Sequence, residues 1–291
     1  MIYVIMGPTC SGKSDAAVAL SHFYNAPIIN ADAFQIYKDM DIGTAKISKD
    51  SPDYKNHYLL DIKTPDETYS VKEYQDDFRN TINELNKKYK DIIVVGGTGL
   101  YIKAAFYDYE FIQEESSEED DYSSFSNEEL YNQLLALDKD AASKIHPNNR
   151  KRVIRALNII KNSSLTKSEI ISKQEHKLVY ENVKFIFINP NRESLYKNIN
   201  DRVDIMFNKG LVDEVKNLSK KYDLSITSKQ GIGYKEVLLF LDNQITLEEC
   251  KEMIKQRTRN YAKRQVTFFK NQFKYEEFAD KNAVIKEFIH G

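Results

Sequence analysis

Four short runs of consecutive apolar residues punctuate the chain: Ile2–Met6, Pro27–Ala31, Ile92–Val95 and Phe185–Ile188. Each has the length of a strand, and the stretches between them carry apolar residues three or four positions apart, as helices do. In the clearest of these stretches Val71, Tyr74, Phe78, Ile82 and Leu85 share one face, and Ser70 with Glu73 forms a capping box at its start. Leu195, Ile199, Val203 and Met206 repeat the spacing, with Gly210 placed to end that helix, while Thr246 and Glu249 open a last long one. Strands alternating with helices predict an α/β fold with a mostly parallel sheet flanked by helices.

The pattern breaks between Asp108 and Asp121, where a run rich in Glu, Asp and Ser, EESSEEDDYSS, is too polar to join a core. Helical spacing returns from about Asn127 to Lys173, and KFIFINP then restores the strand signal. Residues 1–112 and 180–291 are therefore expected to form the core with its C-terminal helices, and 113–179 a helical insertion domain. No internal repeat or coiled-coil heptad is present.

Composition narrows the picture only a little. A chain of 291 residues suits one large domain or two unequal ones. Its 42 basic and 44 acidic residues nearly cancel, so any nucleic-acid surface must be a local patch. Cys10 and Cys250 make neither a disulfide framework nor a zinc motif, and no targeting leader is evident, which leads us to expect a reduced, cytoplasmic protein. No window approaches the run of about 18 apolar residues that a membrane span needs, so no membrane partner is expected.

Candidate chemistry begins at residue 7 with GPTCSGKS, which fits G-x-x-x-x-G-K-[ST] between a predicted strand and a predicted helix. Gly7 and Gly12 let the backbone N–H groups of Thr9, Cys10 and Ser11 turn into one concavity. The following helix adds its positive end, Lys13 a full charge, and Ser14 a hydroxyl able to ligate Mg²⁺. Such a P-loop-type core holds a diphosphate or triphosphate, the motif usually read as ATP-binding. The usual companions of nucleotide hydrolysis are missing, because Ile92–Val95 runs into Gly96-Gly97-Thr98 rather than a carboxylate, and no NKxD motif occurs. A small-molecule or nucleotide kinase and a non-catalytic nucleotide-regulated module both stay open on these residues alone.

Further stretches narrow the choice. NADAFQIYKDMDIGTAK (30–46), VGGTGLYIKA (95–104) and NRKRVIRAL (149–157), together with the loop, DRVDIMFNKGLVDEV (201–215), GIGYKE (231–236) and RTRNYAKRQVTFF (257–269), resemble the isopentenyl-tRNA transferase (tRNA dimethylallyltransferase) family nearly end to end. The resemblance implies transfer of a dimethylallyl group from its diphosphate to N6 of the adenosine just 3′ of the anticodon, with pyrophosphate leaving. It also implies Mg²⁺ as cofactor, dimethylallyl diphosphate and the tRNA anticodon stem-loop as partners, and a monomer. The absence of a zinc-finger extension points to the bacterial form of the family.

Roles follow for individual residues. Adenine N6 is a poor nucleophile and needs a base, and Asp32, at the carboxyl end of a predicted strand where ligands of open α/β sheets bind, is the candidate. Lys13 and the loop amides would stabilise the departing diphosphate. Thr98 resembles the family threonine that contacts the target nucleotide, although a simple turn residue in GGTG would read the same way. Family segments that touch the nucleotide correspond to Asp32, Ala33, Phe34 and Gln35, and to Gly231, Ile232, Gly233, Tyr234, Lys235 and Glu236. A basic cluster, Arg150 with Lys151, Arg152 and Arg155 around Val153 and Ile154, is a second tRNA surface, and Lys255, Arg259 and Lys263 recur along the last helix. Arg257 and Arg264 share a face that reaches either RNA or diphosphate, Arg264 being counted with the diphosphate set.

The chain departs from the family in Cys10, in Tyr58 after His57, in the pair Ala33-Phe34, and in the acidic run 114–121, where the family has a longer Arg-containing stretch.

Overall fold

A computed structural model of the chain describes residues 1–109, 111, 122–163, 166, 168, 169 and 176–291. The acidic run 114–121 and part of the expected helical stretch up to Lys173 lie outside the described residues.

Two compact units emerge, Met1–Phe106 with Tyr180–Gly291, and Tyr107–Val179. The division comes at Tyr107 rather than 113 because the chain is already paired there. Tyr107 bridges Leu178 in antiparallel fashion, and the Asp108 N–H donates to the Lys177 carbonyl at 3.0 Å.

In the first unit six strands form one sheet: β1 (Ile2–Met6), β2 (Ile28–Asn30), β3 (His57–Tyr58), β4 (Ile92–Gly96), β5 (Val183–Ile188) and β6 (Glu276–Phe278). Their order is β3-β2-β4-β1-β5-β6, and every pairing is parallel. All four predicted strands are present. The two edge strands, β3 and β6, carry no apolar run to announce them.

Helices cover both faces, as an all-parallel sheet requires. Ile186 and Ile188 of β5 join Tyr3, Ile5, Ile28 and Ile93 against α1 (Lys13–Tyr24), whose Ala16, Ala17 and Leu20 are buried with them. By the period of the strand, Phe185 and Phe187 point the other way. There Phe185 packs on Phe106 at 5.6 Å between ring centroids, and Phe187 on Phe269 at 5.7 Å. Phe106 ends α3 (Gly99–Phe106), and its ring lies 5.1 Å from that of Phe78 in α2 (Val71–Leu85), the helix that opens on the Ser70–Glu73 capping box.

The second unit is helical: α4 (Asn127–Leu137), α5 (Lys139–Lys144) and α6 (Arg150–Ser163) enclose Leu130, Leu134, Ala142, Val153 and Leu157. Back in the first unit, α7 (Arg192–Asn208) ends at Lys209. Gly210 follows in the left-handed region at φ 93° and starts α8 (Leu211–Lys221), so one residue closes the first helix and caps the second. After α9 (Ile226–Lys229) and α10 (Tyr234–Leu241), α11 (Leu247–Gln272) runs 26 residues from a Thr246–Glu249 capping box, and α12 (Lys281–Ile285) with a π-helical turn over Lys286–His290 completes the unit.

Phe78 is fully buried among Tyr74, Phe106 and Tyr180. Phe78→Ala is expected to cost about 3–5 kcal/mol in equilibrium urea unfolding, since the cavity adds to the lost transfer energy. A loss below about 1 kcal/mol would contradict this packing.

Candidate active site

Parallel register brings three strand ends to one place. Met6 pairs with Gly96 and Asn30 with Val95, so the chain leaving β1, β2 and β4 emerges side by side. From these ends start the loop 7–14, the turn carrying Asp32, and Gly97-Thr98.

The loop has the turn the motif requires, but two of its three expected amides are engaged within the protein, the Thr9 N–H donating to Gln265 Oε1 at 2.9 Å and the Ser11 N–H to the Pro8 carbonyl at 3.3 Å. Gly12 takes φ 85°, a conformation that L side chains rarely adopt, and α1 begins at the next residue, Lys13. Cys10 also has a positive φ, 63°, in the same turn. The Ser11 hydroxyl is buried with no hydrogen-bond partner among the described residues, which leaves a donor inside the loop. Lys13 Nζ donates to the Pro8 carbonyl at 3.3 Å. Burial lowers the Lys13 ammonium below its ordinary pKa, Asp32 opposes that shift, and the positive Arg202 adds to it. An incoming anion would offset both effects by its opposite charge.

Asp32 is held from both sides. Its N–H donates to Asn30 Oδ1 at 3.1 Å, while Asn30 Nδ2 donates to the carbonyls of Asp32 and Leu59, each at 3.1 Å. Asp32 Oδ1 accepts from the Phe34 N–H at 3.0 Å, leaving Oδ2 without a hydrogen-bond donor among the described residues. The Ala33 N–H donates to Thr98 Oγ1 at 3.0 Å, and the Thr98 N–H to the Ala31 carbonyl at 3.1 Å. Thr98 is thus more than a turn residue, because it clamps the Asp32 turn. Gln35 Nε2 donates to the Thr44 carbonyl at 3.1 Å and so steadies the segment 39–44.

A cavity of about 250 Å³ opens beside these groups. Thr9, Asp32, Phe34, Ile232, Tyr234 and Arg264, all expected from the sequence, line it. Its apolar wall is Ile199, Val203 and Met206 of α7 with Ile254 of α11. A neighbouring cavity of about 340 Å³ shares Gln230, Ile232 and Arg264 and adds Lys235, Arg257 and Asn260.

Several residues of this region have no role in the sequence reading. Arg202 of α7 reaches Thr9 Oγ1 at 3.3 Å, Cys10 Sγ at 3.7 Å and the Thr44 carbonyl at 3.1 Å, tying the phosphate loop to the 39–44 segment. Glu214 takes the N–H groups of Asp41, Ile42 and Gly43 at 3.0, 2.7 and 3.1 Å and the Tyr234 hydroxyl at 2.7 Å. Gln265, 5% exposed, contacts both Thr9 and Gly97. Tyr261 lies beside Thr98 and Gln265, and burial, followed by the charge of Asp32, raises its hydroxyl pKa. One signal was available: Gln265 lies on the face of α11 that carries Ile254, Ala262 and Phe269, where a polar residue is out of pattern.

The structure corrects three of the expected RNA contacts and qualifies others. Val153 and Ile154 are 0% and 8% exposed and belong to the core of the helical unit. Glu236 is 1% exposed, accepts the Gly233 N–H at 2.7 Å and pairs with Arg257, so it is a support. Tyr234 is also buried, with its hydroxyl spent on Glu214, and Gly231 and Gly233 are buried backbone. Arg150 donates to the carbonyls of Tyr122 and Phe125 and to Asn127 Oδ1, fastening the start of α6 to the chain before α4. On α11, Lys255 pairs with Asp204 at 3.0 Å and Arg259 donates to Asn200 Oδ1 at 2.7 Å, so most of that basic stripe is bound within the protein. Lys151, Arg152, Arg155 and Lys235 are exposed, as is Arg264 at the cavity mouth.

For a metal ion the donor set is sparse. No cluster of three His, Cys, Asp or Glu side chains suited to a metal occurs among the described residues, and Asp15, next to Ser14, pairs with Lys281 at 2.5 Å. The exposed Ser14 hydroxyl fits Mg²⁺, which keeps several waters and takes its remaining ligands from substrate phosphates. No helix among the described residues is long and apolar enough to cross a membrane.

Comparison with known proteins identifies the relatives of the chain. A protein from Anoxybacillus flavithermus named tRNA dimethylallyltransferase is 43% identical over 279 residues, 95% of this chain and 89% of that one. One of the same name from Bacillus subtilis is 41% identical over 95% of this chain and 90% of its own. A tRNA isopentenylpyrophosphate transferase structure from Staphylococcus epidermidis matches with a TM-score of 0.70 at 34% identity, covering 99% of this chain and 96% of its own. A eukaryotic dimethylallyltransferase described as acting on tRNA reaches a TM-score of 0.81 at 30% identity, over 99% of this chain and 76% of that one. A sequence model of the IPP transferase family matches residues 35–272. With the fold, the strand-end loops and these relatives in agreement, the chain belongs to the IPP transferase family.

Proposed function

We propose that this protein transfers a dimethylallyl group from dimethylallyl diphosphate to N6 of the adenosine 3′-adjacent to the anticodon of tRNA, releasing pyrophosphate. The observation that carries the reading is the meeting of an anion-binding loop, a fixed carboxylate and an apolar-walled cavity at the carboxyl ends of parallel strands.

In this reading the Cys10 amide and the first amides of α1, with Lys13 and Arg202, grip the diphosphate, and the prenyl group lies against Ile199, Val203 and Met206. The target adenosine leaves its stack to enter from the side of Phe34 and Ile232, as RNA enzymes that act on a base require. N6 attacks C1 of the prenyl group, the C1–O bond breaks, and its electron pair leaves with the diphosphate. The N6 proton goes to Asp32 Oδ2. Fixed positive groups at the leaving oxygens act where charge develops, which is where electrostatic catalysis contributes most. Mg²⁺, held by Ser14 and the diphosphate itself, would add charge neutralisation there. Lys151, Arg152 and Arg155 supply the sequence-independent contacts to tRNA phosphates. The enzyme acts as a monomer in the cytoplasm.

Incubation with labelled dimethylallyl diphosphate, Mg²⁺ and unmodified tRNA tests the reading. Label should appear in the RNA without any ATP requirement, whereas unlabelled RNA with ATP turnover would mean a kinase. Asp32→Asn keeps an oxygen to accept the Phe34 N–H but has no basic site, so turnover should fall about 10²–10⁴-fold while the diphosphate still binds. Near-normal turnover would remove Asp32 as the base. Replacing Lys151 and Arg152 together by Ala should weaken tRNA binding and lower the slope of log affinity against log salt by about one to two units. An unchanged slope would show that these two residues are solvated surface.

A further inference from the structure

We propose that Gln265 is a positioning residue that holds the donor and acceptor halves of the site in register. The inference rests on the prenyl-transfer reading and deepens it. The Gln265 carboxamide is buried between two loops. Its Oε1 accepts the Thr9 N–H at 2.9 Å, and its Nε2 donates to the Gly97 carbonyl at 2.8 Å. The orientation is forced, because a backbone N–H can only donate and a carbonyl can only accept.

Thr9 belongs to the phosphate loop. Gly97 precedes Thr98, whose Oγ1 receives the Ala33 N–H next to Asp32. Three hydrogen bonds therefore lead from the diphosphate loop through one side chain to the turn of the base. A Cβ on residue 97 would come within 2.4 Å of Gln265 Nε2, so the glycine leaves the space that this strut occupies. On packing grounds alone a hydrocarbon would serve better at position 265. The helix face here is apolar, and a buried amide is tolerated only when its partners are satisfied.

What the strut controls is the separation of C1 from the adenine nitrogen and its proton acceptor. A misplacement of about 1 Å between reacting groups can cost about 10²-fold in rate. Its signature is therefore a loss in kcat with little change in the KM of either substrate.

Gln265→Glu tests this with a readout that a packing role would not move. As a carboxylate the new side chain accepts from Thr9 but has no proton for the Gly97 carbonyl, and once protonated it has one. Burial raises a carboxyl pKa, so protonation sets in as the pH falls from about 8.5 to about 6. At the alkaline end kcat should be down about 10²-fold with both KM values within about threefold of wild type. The ratio of variant to wild-type kcat should then rise at least about tenfold toward the acid end, since each pH unit can change the protonated fraction about tenfold. Gln265→Met should lose kcat equally at every pH, with the melting temperature lowered by no more than several degrees for the two unpaired backbone groups it leaves. If the Glu variant does not fold, the Met variant decides alone. Wild-type kcat in either variant, a pH-independent ratio for Glu, or a Met defect confined to KM or to melting temperature would overturn the proposal. A wild-type protein that transfers no prenyl group would sink the functional reading itself, whereas an active wild type with indifferent variants would sink only the role of Gln265.

Discussion

Parallel registration of β2, β4 and β1 is the constraint on which the site depends. With Asn30 opposite Val95 and Gly96 opposite Met6, three turns are released at one edge of the sheet within a residue or two of each other. A slip of one residue in any pairing would turn that strand's side chains to the opposite face and misplace the loop behind it. Burial on both faces prevents the slip. β1 is buried along its whole length, with Ile5 against α1 and the aromatic layer of Phe106, Phe185 and Phe269 on the far side of the sheet.

At those strand ends the groups to which we assign the chemistry are held by side chains from distant parts of the sequence. Asn30 and Thr98 fix the Asp32 turn, Glu214 gathers three consecutive N–H groups of the segment 41–43, and Arg202 joins the next residue, Thr44, to the phosphate loop. The hydrogen bonds made by the charged Glu214 and Arg202 are about twice as strong as neutral ones, and each bond also fixes a direction. A preorganised site of this sort has little left to rearrange as charge develops. Arg202 comes from α7 and Glu214 from α8, while α7 and α11 provide the apolar wall of the cavity.

The central strands were legible because residues buried on both faces produce unbroken apolar runs, and the capping boxes at Ser70 and Thr246 were legible because they are local in sequence. β3 and β6 were not, since two- and three-residue edge strands need only backbone pairing and leave their side chains partly exposed. The phosphate loop, Asp32 and Thr98 could be read because contiguous motifs announce them. Fates of individual charges could not. Arg150, Lys255, Arg257 and Arg259 look like an RNA surface in one dimension, yet each finds a partner on another segment. Arg202 and Gln265 were hidden for the converse reason: they sit within amphipathic helices, and the loops they hold lie more than about 150 residues away.

The most direct test of the central claim is a crystal structure with the unreactive thiolo analogue of dimethylallyl diphosphate and an anticodon stem-loop. The account predicts both phosphates inside residues 7–14, the prenyl carbons against Ile199, Val203 and Met206, and the adenine amino group between C1 and Asp32 Oδ2. A diphosphate bound away from that loop, or an amino group facing away from Asp32, would contradict it.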